Sequence, residues 1–180
     1  MKLCFDTNVV LDILGMREDL EMSFTAYDVA AVRGHDRFIP MFTTSDIFYI
    51  LNNSLSKSVD SKEVMAGLFK LFQVFDGHPH DCSQALVSQM PDFEDALLAY
   101  AALRNGIDYI ITRNKRDFAY SPVAVLTPAE YVDTFRPADY EYALLESNSG
   151  LGGPSDSTPN SESRSGSDGS SDSESGSALS

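Results

Sequence analysis

Lys2-Leu3-Cys4-Phe5-Asp6-Thr7-Asn8-Val9-Val10-Leu11-Asp12 stands at the start of the chain, and its reading decides the architecture. Lys2 to Phe5 is a short apolar stretch that predicts a buried strand. Asp6-Thr7-Asn8 then supplies capping chemistry for a helical run, Val9 to Leu14, which Gly15 stops. A strand passing directly into a helix is the opening of an α/β unit. An acid at that junction points into the crevice where such folds bind ligands, which singles out Asp6.

The same grammar continues outward. A second helix is expected from Asp19 to Arg33, with Leu20, Phe24, Tyr27, Ala30 and Ala31 on one face and Gly34 closing it. Arg37 to Phe42 reads as a strand in which Pro40 suits an edge or an end. Thr43-Thr44-Ser45-Asp46 is expected to cap a helix carrying Ile47, Phe48, Ile50 and Leu51, and Asp60 to Phe75 reads as an amphipathic helix through Val64, Leu68, Leu71 and Phe72. Asp81 to Ser88 adds one or two helical turns. Pro91-Asp92-Phe93-Glu94-Asp95 opens an alanine- and leucine-rich helix that Asn105-Gly106 ends. Asp108 to Thr112 is a continuous apolar strand of the kind that fills parallel sheets. After the polar turn Arg113 to Asp117 come a strand, Val123 to Leu126, and a helix begun by Thr127-Pro128-Ala129-Glu130. This order predicts an open α/β fold, a central parallel sheet flanked by helices on both faces.

The composition bounds what such a fold can be used for. Of 180 residues, 43% are hydrophobic, and the formal charge is -14. Residues 147–180 hold 14 serines and 6 glycines, with Leu151, Ala178 and Leu179 as their apolar side chains. Such a stretch cannot offset the entropy of ordering its backbone and predicts a disordered acidic tail, leaving 1–146 for one folded domain. No apolar run approaches the ~20 residues that span a bilayer, and Asp6 falls where a signal peptide needs its apolar segment, so a cytoplasmic protein with no membrane partner is expected. Two cysteines make no disulfide framework, and reduced thiols follow. A chain this acidic repels phosphate backbones at long range and cannot hold nucleic acid by charge alone, although bound metal would change that locally.

The distribution of acids carries the functional argument. Asp6 follows the first strand, Asp46 begins the helix after the second, Asp95 lies in the first turns of the helix before Asp108 to Thr112, and Asp117 follows that strand. Each has a bland explanation, because acids in a first helical turn gain roughly 0.3–1 kcal/mol from the macrodipole and from capping. Together they predict a carboxylate cluster at the carboxyl ends of a parallel sheet. Two carboxylates ~5 Å apart repel by about 3 kcal/mol at an effective dielectric of ~20, so a cluster calls for a cation. Oxygen donors without His or Cys beside them point to Mg2+ or Mn2+ and away from zinc.

At this point the residues carry a family likeness. Asp6-Thr7-Asn8-Val9-Val10-Leu11-Asp12 resembles the opening motif of PIN-domain ribonucleases. Asp92-Phe93-Glu94-Asp95-Ala96-Leu97, the run Tyr109 to Phe118 and Thr127-Pro128-Ala129-Glu130 are similar to that family's later motifs, over residues 1–135 in all. The resemblance implies a Rossmann-like PIN domain and a metal-dependent endoribonuclease, often the toxin half of a VapC-type toxin–antitoxin pair. It implies a homodimer, RNA as substrate and an antitoxin as partner. By the same resemblance, Asp6, Asp95 and Asp117 match metal-binding acids, Asp46 takes the place of a usual glutamate and is expected to orient a metal-bound water, and Asn8 and Thr112 are accessory polar positions. Asn114 stands where other members place an aspartate, and Glu94 is an alternative ligand. Arg113, Lys115 and Arg116 form the densest basic run and are read either as contacts to RNA phosphates or as a solvated turn that offsets nearby acids.

Weaker signals have plainer readings. His78-Pro79-His80-Asp81-Cys82 lacks a companion cluster and is expected to be an exposed loop rather than a zinc site. Phe69, Phe72 and Phe75, at three-residue steps, are expected in the core, as are the gap-fillers Met65 and Met90. Two rival functions stand beside the nuclease. An α/β phosphatase with Asp6 as nucleophile would want an aspartate at position 8, where Asn8 stands. A non-catalytic PIN-fold module binding RNA or protein is favoured by Asp46 and Asn114.

Overall fold

The computed structural model describes residues 1–16, 20–56 and 58–140. The tail expected over 147–180 lies outside the described residues. Five strands, β1 (Lys2–Phe5), β2 (Asp36–Pro40), β3 (Gln73–Phe75), β4 (Tyr109–Ile111) and β5 (Ala124–Leu126), form a single sheet in the order β3-β2-β1-β4-β5, and every pairing is parallel. Seven helices are described: α1 (Thr7–Ile13), α2 (Leu20–Val32), α3 (Thr43–Ser54), α4 (Ser61–Leu71), α5 (Pro79–Val87), α6 (Phe93–Arg104) and α7 (Pro128–Phe135). A 3-10 turn, Lys115–Phe118, follows β4. The first strand is thus central, with Cys4 opposite Phe38 on one side and Ile110 on the other.

The sheet is buried on both faces, as parallel sheets must be. Alternation along β1 sends Leu3 and Phe5 into one core with Val10, Ile39, Ile111 and Tyr131, while Cys4 joins a second core with Ala99, Ala102 and Ile110. Arg104 ties the second layer down: its guanidinium meets both oxygens of the buried Asp81 at 3.0 Å and Asp76 at 3.1 Å. No described helix is long and apolar enough to cross a membrane.

The helix starts divide by chemistry. Thr127 caps α7 in a reciprocal capping box with Glu130, and Asp92 caps α6 by accepting from the amides of Glu94 and Asp95. Gly106 (φ +67°) and Gly34 (φ +66°) take the left-handed conformation just past the helices they end.

Several expectations need correction. The helix read as Asp60 to Phe75 stops at Leu71, because Phe72 turns extended and Gln73–Phe75 becomes β3 along β2. Phe72 and Phe75 are buried as expected, in the two different cores, but Phe69 is exposed. Thr43 to Asp46 do not cap α3. They form its first turn, and the hydroxyls of Thr43, Thr44 and Ser45 donate back to the carbonyls of Pro40, Met41 and Phe42. On α2 the buried side is Ser23, Ala26, Tyr27 and Ala30, with Leu20 and Ala31 outside, and the expected first residue, Asp19, lies outside the described residues. His78 to Cys82 is no loop: His78 caps α5, and Asp81 closes a capping box.

Candidate active site

Asp6 follows β1 at the N-cap position of α1, yet its side chain makes no cap bond. Its Oδ2 instead accepts from Thr112 Oγ1 at 2.7 Å and from Asn8 Nδ2. Asn8 Nδ2 also reaches Thr112 Oγ1 at 3.1 Å, and Asn8 Oδ1 accepts the Arg113 amide at 3.2 Å. The amide of Asp6 donates to the Ile111 carbonyl, so the carboxyl ends of β1 and β4 are laced together by backbone and side chains. The sheet order turns back at β1, and ligands of open α/β sheets bind at that place.

Around this point the chain builds a hollow of about 370 Å³ lined by Asp6, Thr7, Asn8, Thr43, Asp46, Ile50, Glu94, Asp95 and Leu98. Strand β1 brings Asp6, α3 brings Asp46, and α6 brings Glu94 and Asp95. The cap of α6 is supplied by Asp92, which leaves the carboxylates of Glu94 and Asp95 to face the hollow. Acids expected from three distant stretches are therefore neighbours.

Their electrostatics show the crowding. Asp95 is pushed up to about 7, first by burial and then by the charges of Asp6, Asp92, Asp117 and Glu94. Glu94 is raised by burial, by Asp46, Asp92 and Asp6, and by a hydrogen bond with Asp46. Asp6, only 7% exposed, is raised by burial against the opposing effects of Thr112, the Thr7 amide, Asn8 and Arg113.

The remaining expected residues sit at the edge. Asp117 is half-buried on the 3-10 turn, accepts from Asn114 Nδ2, and acts on Asp95 through its charge without lining the hollow. Asn114 donates its amide to Thr112 Oγ1 at 3.0 Å. The basic run is divided among three tasks. Arg113 Nε lies 3.2 Å from the buried Asp12, Lys115 Nζ meets both oxygens of Glu130 at 2.8 Å, and Arg116 is 91% exposed, 3.6 Å from Asp117.

Sequence reasoning missed the walls and one support. Ile50 and Leu98 form the apolar side of the hollow, and Thr7 and Thr43 add hydroxyls. Asp12 is fully buried and accepts from Ser23 Oγ at 2.8 Å. An aspartate inside the apolar run Val9 to Leu14 was the available signal, since a buried charge demands partners.

This donor set suits a hard divalent cation. Four carboxylates face one hollow, no thiol or imidazole lines it, and Asp95 and Glu94 are displaced upward first by burial and then by the negative charge around them.

A model of the PIN-domain family matches residues 2–116. No curated protein matches the chain. Among solved structures, the chain is similar to FitAcB from Neisseria gonorrhoeae, with 18% identity and a TM-score of 0.58 over 71% of this chain and 98% of that one. It is also similar to VapBC2 from Rickettsia felis bound to a DNA fragment from its promoter, with 13% identity and a TM-score of 0.57 over 71% and 98% of the two chains. VapBC-1 from nontypeable Haemophilus influenzae gives 14% identity and a TM-score of 0.53 over 72% and 99%. At these identities the structural likeness speaks for the fold, and the family match covers well over half of the chain: it belongs to the PIN-domain family.

Proposed function

We propose that this protein is a Mg2+- or Mn2+-dependent endoribonuclease, a hydrolase of RNA phosphodiester bonds that serves as the toxin of a toxin–antitoxin pair. One observation carries the reading: in a PIN-family chain, Asp6, Asp46, Glu94 and Asp95 face one hollow, where burial first and then the neighbouring carboxylates lift Asp95 to about 7. Asp6 and Asp95, with Asp117 beside them, are the residues to hold one or two ions. A divalent ion bound there supplies positive charge for the scissile phosphate and acidifies water.

The chain's own residues do the rest. Thr112 and Asn8 fix Asp6, so that the donor nearest the sheet points one way. Asp46, exposed at the mouth of the hollow, orients the attacking water in line with the phosphorus. Glu94, hydrogen-bonded to Asp46 and raised in pKa, takes up a proton more readily than an ordinary glutamate. Arg116 is the basic side chain most open to a flanking phosphate. The toxin role is supported by FitAcB and the VapBC assemblies, whose fold this chain shares, and an antitoxin partner comes with that role; a homodimer is proposed with it.

A second reading, a non-catalytic PIN-fold module that binds RNA or protein, has one observation in its favour. Among the described residues no three His, Cys, Asp or Glu side chains are gathered into a ready-made metal cage. The deciding experiment incubates the purified protein with labelled RNA and Mg2+ or Mn2+, beside EDTA, Asp6→Asn and a small phosphomonoester. Metal-dependent cutting lost in Asp6→Asn supports the nuclease. RNA left intact in every lane overturns it in favour of the module, and turnover of the phosphomonoester in favour of an α/β phosphatase.

A further inference from the structure

A nuclease with a formal charge of -14 needs something other than phosphate neutralisation to hold RNA, because that binding mode requires many Lys and Arg contacts. Close to the site, Arg113 and Lys115 are engaged with Asp12 and Glu130, and Arg116 shares its charge with Asp117. Exposed aromatic rings offer an uncharged means of attachment.

Among the described residues, Tyr49, Phe69, Phe93 and Tyr120 are the aromatic side chains that stand out in solvent. Two of them follow a site acid by three positions. Tyr49, 71% exposed, lies one turn beyond Asp46 on α3, where residues three apart are neighbours. Tyr120, 61% exposed, follows Asp117 by the same step, two residues beyond the end of the 3-10 turn. Phe69 belongs to another groove, with Phe48 and Met65, and helical spacing turns Phe93 away from Asp95 and Leu98. The sheet order places the two tyrosines on opposite flanks. Asp6 ends β1, α3 follows its neighbour β2, and the 3-10 turn follows its other neighbour β4.

We infer that Tyr49 and Tyr120 are stacking platforms for nucleobases on either side of the scissile phosphate, so that RNA is held by its bases more than by its backbone. This rests on the nuclease reading above. Aromatic rings stack on any base, and each such contact strengthens binding roughly five- to a hundred-fold. Duplex RNA hides its base faces and offers these rings nothing.

The test uses the full chain carrying Asp6→Asn, with a short unstructured oligoribonucleotide, the same strand bearing abasic residues, and a duplex. Tyr49→Leu and Tyr120→Leu should each weaken binding of the single strand about ten-fold, while Tyr49→Phe and Tyr120→Phe keep it. The chain has no tryptophan, so Tyr49→Trp makes a lone reporter whose emission the single strand should quench and the abasic strand and duplex should not. Native cutting with unchanged affinity in both leucine variants overturns the inference, leaves the nuclease standing and gives the tyrosines to a protein contact. A native protein that neither binds nor cuts RNA removes both.

Discussion

Asp12 of α1 and Arg113, just past β4, form an ion pair in which the carboxylate is wholly enclosed and the guanidinium lies 3.2 Å away. Through it the helix that follows Asp6 is joined to the segment that bears Thr112, Asn114 and Asp117. A buried charge that loses its partner costs about 3–5 kcal/mol. Arg113→Ala, which leaves the enclosed Asp12 carboxylate without its counter-charge, is therefore expected to lower unfolding stability by an amount of that order, and Asp12→Ala by less, because the guanidinium left behind is partly exposed. Urea titration of the two variants measures both, and an Arg113→Ala protein as stable as the native one would contradict the role given to this pair.

Thr112→Val keeps the shape of a buried side chain and removes the hydroxyl that donates to Asp6. Loss of such a support to a metal ligand costs about 10–100-fold in metal affinity or activity. Calorimetric titration with Mn2+ is expected to show that loss, and the melting temperature to fall as well, because the same hydroxyl accepts from the Asn8 side chain and the Asn114 amide.

The raised carboxyls give the metal-free protein a pH signature. Asp95 sits near about 7 in the fold against an ordinary 3.8, so between those values the folded chain keeps a proton that the unfolded chain gives up. The stability this provides is full below the ordinary value and is lost as pH rises towards 7. In EDTA, urea midpoints should fall from about pH 4 to about pH 7, and Asp95→Asn should flatten most of that slope. Midpoints that rise over this range in EDTA would show that the Asp95 carboxyl is not held above its ordinary value.

The three basic residues should separate in RNA binding. Arg116→Ala is expected to weaken binding to all sequences alike and to reduce the salt slope by about 1, as the loss of one phosphate contact does. Lys115→Ala should leave RNA affinity nearly unchanged, since its ammonium is committed to Glu130. Fluorescence anisotropy across a salt series reads both.

The fold was legible where local chemistry is strong and unopposed. The Thr127 cap, the Asp92 cap and Gly106 mark helix ends by bonds to neighbours in sequence, so those elements are found where the chain announces them. β3 was hidden because Phe69, Phe72 and Phe75 continue a helical spacing, and only the waiting edge of β2 makes Gln73–Phe75 extended. The carboxylates of the hollow were visible as acids at strand ends and helix starts, a pattern that parallel topology gathers. Ile50 and Leu98 were not, because walls are relations across the tertiary fold, and Asp12 marked itself as an acid in an apolar run without naming Arg113 as its partner.

β1 lies between β2 and β4, and the hydroxyl that steadies Asp6 comes from Thr112. Until a ribosome has carried synthesis past Thr112, the first strand of the nascent chain therefore keeps one flank open and Asp6 lacks its hydroxyl partner, so a carboxylate set early in the chain waits for the fourth strand before it is held in place.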